Sequence, residues 1–191
     1  MNNKKLKVFR WVLYIIYIIS IGYFLIKKNF ASAGMSTFCL VVTLILTMLY
    51  SRKIEILDTS LYVVLNLFIF FSILLGSSYD LYQINHYDDF LHFWSGFIGV
   101  KIGYNALKAL QVTGRRNKII FLVVIFLVGM GISSIFEIVE YSMDTLFGAN
   151  TQAGGLKDTM HDMIDALLGG IIMVIYYINK LRKENNTWIF K

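Results

Sequence analysis

The sequence predicts an all-α polytopic membrane protein, a bundle of about six transmembrane helices forming one integral membrane domain over residues 1–191. Three observations lead there. Hydrophobic residues make up 57% of the chain and charged residues 16%, with a mean hydropathy of +0.64, too apolar for an ordinary water-soluble domain. The apolar residues fall in runs about as long as a bilayer-crossing helix requires, roughly 17 to 25 residues. These runs are continuous, whereas barrel strands alternate, so helix is the form that satisfies the backbone inside lipid.

The first run, about 9–26, follows the basic stretch "NNKKLKVFR" and precedes "ASAG", which together have the parts of a signal peptide. Lys27 and Lys28 stand where such a peptide carries no charge, so the segment reads as a retained helix. The second run, about 31–50, holds the single cysteine, Cys39, which has no intrachain disulfide partner. A third run covers about 60–79. The fourth, about 89–110, opens on "DDFLHFWSG" and continues as Gly96, Gly99 and Gly103, a stripe that admits a neighbouring helix closely. The fifth, about 118–141, closes on "FEIVEY"; the sixth, about 161–179, follows the Gly-rich loop "FGANTQAGGLKD". With no proline in the chain, helix breaks have to come from glycine or packing.

The basic residues orient these spans. With a cytoplasmic N-terminus, the inner ends collect Lys4, Lys5, Lys7, Arg10, Arg52, Lys53, Lys108, Arg115, Arg116, Lys118, Lys180, Arg182, Lys183 and Lys191, fourteen in all. The outer ends collect only Lys27, Lys28 and Lys157, and Lys101 lies within the fourth span, where it packs or snorkels inward. Both termini are therefore expected in the cytoplasm of a bacterial inner-membrane protein. The same bias accounts for the net charge of +6 through anionic lipid, with no nucleic acid required. Trp11 and Trp188 read as interfacial anchors. Trp94 reads equally well as a pocket wall or as packing.

Acidic residues have the opposite distribution. Nine of twelve, Asp80, Asp88, Asp89, Glu137, Glu140, Asp144, Asp158, Asp162 and Asp165, lie at or near the outer ends of spans three to six, with His86, His92 and His161. The fourth span begins at that face, the fifth ends there and the sixth begins there. Helical spacing then sorts the faces: Asp88 and His92 are four apart, Asp89 and His92 three apart. Ser133, Glu137, Glu140 and Asp144 follow one stripe of the fifth helix; Asp158, Asp162, Asp165 and Gly169 follow one stripe of the sixth.

Ionisable groups within a span cost about 2.5 to 3.5 kcal/mol each at mid-membrane, so a cluster implies pairing, water or a cation. Several carboxylates at close range repel unless something positive joins them, and Lys157 is the only base nearby. A metal ion or shared protons resolves the repulsion. The expected ligands are His92, His161, Asp158, Asp162 and Asp165, and their mixed nitrogen and oxygen chemistry suits Zn, Mn or Fe. Glu137, Glu140 and Asp89 are the expected acid–base residues. For any one of these residues the plain reading is a satisfied helix cap, which fits Asp88 and Asp158 best.

In their order, "DDFLHFWSG", "FEIVEY" and "DTMHDMIDALLGG" resemble the YjdF-like family of bacterial membrane-spanning proteins and, more distantly, the VanZ-like family associated with glycopeptide resistance. The likeness covers roughly residues 60–180 and falls on Asp89, His92, Glu137, Glu140, Asp158, Asp162, Asp165 and Gly169. The chain departs from the VanZ-like pattern at Asp165, where that family has Asn. The resemblance implies a fold and a site, not a reaction.

Two classes of function fit these residues. One is a metal-dependent hydrolase or transferase acting on a lipid or envelope-precursor headgroup at the outer face. The other is a non-enzymatic protein that binds or transports a cation, protons or a cationic drug in envelope stress or resistance. No Gly-x-Ser-x-Gly nucleophile motif is present. No polar track continues from the cluster down helices four and six, which favours a one-sided site over a transport path.

Overall fold

The computed structural model of the protein describes residues 3–111, 118–148, 151–152 and 155–183. Trp188, Arg115, Arg116 and Lys191 lie outside these. Every regular element among the described residues is helical, in keeping with an all-α polytopic membrane protein. The chain divides into two compact units, Met1–Tyr87 and Asp88–Lys191.

The first unit holds α1 (Asn3–Ile26), α2 (Phe30–Ser51) and α3 (Thr59–Ile69). A π-helical extension, Phe70–Ser78, continues α3, and a 3-10 turn, Leu81–Gln83, follows it. The Asn29 side chain caps α2 by accepting from Ser32 N at 3.1 Å, and Asp58 caps α3 by accepting from Leu61 N at 2.7 Å. At the junction of α3 and its extension, Ser72 Oγ donates to the Phe68 carbonyl at 2.7 Å and so competes with the backbone for it. Leu13, Tyr17, Cys39, Ile69 and Leu74 form the core. Cys39 is free and fully buried. α1 turns Val8, Trp11, Ile15, Ile18 and Ile19 outward, the surface expected of a lipid-facing helix.

The second unit holds α4 (Tyr87–Ala109), α5 (Lys118–Phe147) and α6 (Leu156–Lys183). Segments Lys4–Ile26, Phe30–Ser51, Thr59–Ser78, Lys118–Leu146 and Leu156–Leu181 are long and apolar enough to cross a membrane. α4 is not among them although it has 23 residues, because His92, Lys101, Asn105 and its glycines dilute its hydropathy. Phe90 is the only large hydrophobic side chain of α4 that is exposed.

Glycine sets how closely α4 approaches its neighbours. A Cβ on Gly96 would overlap the Ala166 carbonyl of α6, and one on Gly169 would overlap the Phe93 carbonyl of α4. Gly99 lies against Gly129 of α5, whose Cα is 2.8 Å from where a Cβ would sit. The expected stripe is therefore shared, Gly96 facing α6 and Gly99 with Gly103 facing α5. Toward the other end of α4, Tyr104 and Tyr177 stack with centroids 4.1 Å apart in a core with Val100, Phe121, Ile125 and Leu181.

Candidate metal centre

Three helix ends meet in the second unit: the start of α4, the end of α5 and the start of α6. The backbone contacts at Gly96 and Gly169 hold α4 and α6 close enough for side chains one turn away to converge. His92 of α4 lies at the centre, 9% exposed. Its Nε2 is 3.5 Å from Asp88 Oδ1, 3.8 Å from Asp162 Oδ1 and 3.9 Å from Glu140 Oε1. Its Nδ1 faces the opposite way, 3.4 Å from Glu137 Oε1. The imidazole is thus ringed by four carboxylates from three helices.

Burial sharpens the electrostatic problem. Glu137 is 5% exposed and Asp162 2% exposed, and neither Glu137 oxygen has a hydrogen-bond partner among the described residues. A buried carboxylate left without a donor is costly. No Lys or Arg pairs with Asp88, Glu137, Glu140, Asp158 or Asp162 among the described residues, and Lys157 is exposed. His92 is the one base that these carboxylates share.

Distance bears on how they could be compensated. Hydrogen bonds to an imidazole span about 2.7–3.2 Å, shorter than any of the four separations. Ligand atoms about 2.1 Å from one cation lie roughly 3.0 Å apart at right angles, about 3.4 Å apart in a tetrahedron and about 4.2 Å apart across an octahedron. The observed spacings fall in that interval. His92, Glu137, Glu140 and Asp162 each offer a ligand atom within 4.8 Å of the others, and so do Asp88, Asp158 and Asp162.

The expected residues divide. His92, Glu137, Glu140, Asp158 and Asp162 come together. His161, expected as a ligand, is exposed and outside both groups, because a helix turns about 100° between it and buried Asp162. Asp89 and Asp165 are half-buried and also stand outside both groups. Asp88, read from sequence as a cap, is in the second group, and its four-residue spacing from His92 was the signal for it. His86 occupies a left-handed turn ahead of α4 with φ 64° and is exposed.

Losing His161 makes the donor set richer in oxygen than two histidines would have made it. Among Zn, Mn and Fe, an imidazole with several carboxylates suits the harder Mn²⁺ best. Asp144 does different work. Its carboxylate accepts from Thr151 N at 2.5 Å, Thr151 Oγ1 at 2.6 Å and Gln152 N at 2.8 Å. Gln152 Nε2 in turn donates to Thr159 Oγ1 at 2.7 Å, so the described part of the α5–α6 loop is fastened at both ends beside Glu140. Trp94 packs against Phe90, with centroids 5.9 Å apart.

The model of one family, described as Predicted membrane protein (DUF2238), matches residues 9–183. No curated protein and no solved structure matches the chain. This family is the YjdF-like family that the helix motifs resemble, and the more distant VanZ-like likeness finds no support.

Proposed function

Since the chain belongs to this family of predicted membrane proteins, we propose that it is a metal-dependent membrane enzyme, holding a divalent cation between α4, α5 and α6. One observation carries the reading: a buried imidazole ringed by four carboxylates at 3.4–3.9 Å, with Glu137 buried and lacking a donor. Nε2 of His92 is the nitrogen ligand, with Asp162 and Glu140 as oxygen ligands. Glu137, 3.4 Å from Nδ1, stands on the side of the ring where a carboxylate commonly lies behind a metal-bound histidine. A cation held there would supply Lewis acidity and acidify a water, the chemistry of hydrolysis or group transfer.

The positive-inside bias supports a reading with both termini in the cytoplasm and this centre at the outer face of a bacterial inner membrane. A lipid or envelope-precursor headgroup is the substrate within reach of that depth, with a phosphate or carbonyl oxygen to which a bound cation would supply a Lewis acid.

Metal analysis of the full chain purified in detergent, without chelator, tests the reading. The expected result is bound Mn²⁺ or another divalent transition metal that His92→Ala removes. Wild-type protein that stays metal-free in Mn²⁺ buffer, and hydrolyses no lipid phosphate or ester when Mn²⁺ is supplied, overturns it.

A further inference from the structure

Asp162 belongs to both ligand groups: one with His92, Glu137 and Glu140, the other with Asp88 and Asp158. It is 2% exposed, and its nearest base is His92 Nε2 at 3.8 Å. A carboxylate with two oxygens, buried to this degree and with ligand-distance neighbours on both sides, has the arrangement of a bridge. We propose that the site holds two divalent cations, with Asp162 bridging them, an inference that rests on the metal reading above.

The first cation lies among His92, Glu140 and Asp162. The second lies among Asp88, Asp158 and Asp162, at the mouth formed by the first turns of α4 and α6, where Asp88 and Asp158 are half-buried. Charge supports a pair over a single ion. Asp88, Glu137, Glu140, Asp158 and Asp162 bring five negative charges when ionised. One divalent cation leaves three of them uncompensated in a site without Lys or Arg partners, and two leave one. The helix N-termini at Asp88 and Asp158 do not replace the second cation, because their partial charge is only about half a unit each and falls off within a turn.

The ligand chemistry of the two positions differs. The first has a nitrogen donor and is closed in; the second is all oxygen and open to water, which suits a hard, partly hydrated ion such as Mn²⁺ or Mg²⁺. The outer ion should therefore exchange faster than the inner one.

Manganese titration of the full chain in detergent, followed by electron paramagnetic resonance, tests this. Two ions per chain are expected at saturation, with an exchange-coupled spectrum from centres about 3.5–4 Å apart. Asp158→Asn, at the start of α6 and only half-buried, should bring two ions down to one and restore the six-line signal of isolated Mn²⁺. Asp162→Asn should abolish the coupling. A wild-type stoichiometry of one with a six-line spectrum overturns the pair while leaving the single-metal reading intact. No bound manganese removes both. Two uncoupled ions overturn the bridge, and a coupled pair surviving in Asp158→Asn overturns the assignment of the outer position.

Discussion

Glu137 and His92 pose opposite problems that the proposed cation would solve together. Glu137 needs a positive neighbour, and the imidazole needs its Nδ1 proton held so that Nε2 is free to coordinate. Replacing Glu137 with Gln keeps the shape and removes the charge. Mn²⁺ affinity should then fall by about 10–100-fold, as for other carboxylates behind a metal-bound histidine. In chelator the same variant should melt above the wild type, because an uncompensated buried charge has gone. Lower metal-free stability of Glu137→Gln would show that the carboxylate is satisfied without metal. His161→Ala is the matching control: its exposed ring stands outside both ligand groups, so metal content should not change.

The helices bring these residues together through backbone contact. Gly96→Ala drives a methyl into the Ala166 carbonyl, so α4 and α6 must part. A loss of about 1–3 kcal/mol is expected, read as a lower melting temperature in detergent. Metal binding should weaken with it, because His92 and Asp162 sit on the two helices being separated. Gly131→Ala is the comparison, since nothing lies within 4 Å of an added Cβ there, and it should be neutral or slightly stabilising. Much of this was legible in the sequence. The pairs 88/92, 137/140 and 158/162 are helical neighbours whatever surrounds them, and the glycine stripe marks a close approach. Periodicity does not give the rotation of α6 about its own axis. That rotation is set by Ala166 and Gly169 meeting α4, and it puts Asp162 inward and His161 outward. Nor did hydropathy runs separate α4 from the helices apolar enough to span, since its polar residues are spread along the whole length.

Along the sequence, spans that alternate in direction would gather most Lys and Arg at one set of helix ends and the carboxylates of α4–α6 at the other. A reporter fused after residue 191 should read cytoplasmic and one inserted near residue 150 external. An external C-terminus would move the proposed metal centre to the cytoplasmic face and replace the class of substrate proposed for it. Both units follow one packing logic, with small or hydroxyl side chains where helices come close. The described helices of the first unit are joined by hydroxyls, such as Thr47 Oγ1 with Tyr62 at 2.8 Å and Tyr14 at 2.9 Å.

The contact of Gly96 with α6 acts as a fulcrum. His92 lies four residues to one side of it and Tyr104 eight to the other, about 6 and 12 Å along the axis at helical rise. With backbone touching backbone there, α4 and α6 can rock but cannot slide. A tilt that widens the carboxylate ring by some fraction of an ångström must squeeze the stacked Tyr104 and Tyr177 by about twice that amount. The aromatic pair would therefore oppose opening of the ring, and so limit the ion that the proposed site could take. Tyr104→Leu, far from any ligand, should loosen that limit and shift the preference between Mn²⁺ and the larger Ca²⁺, measured by competition, toward Ca²⁺.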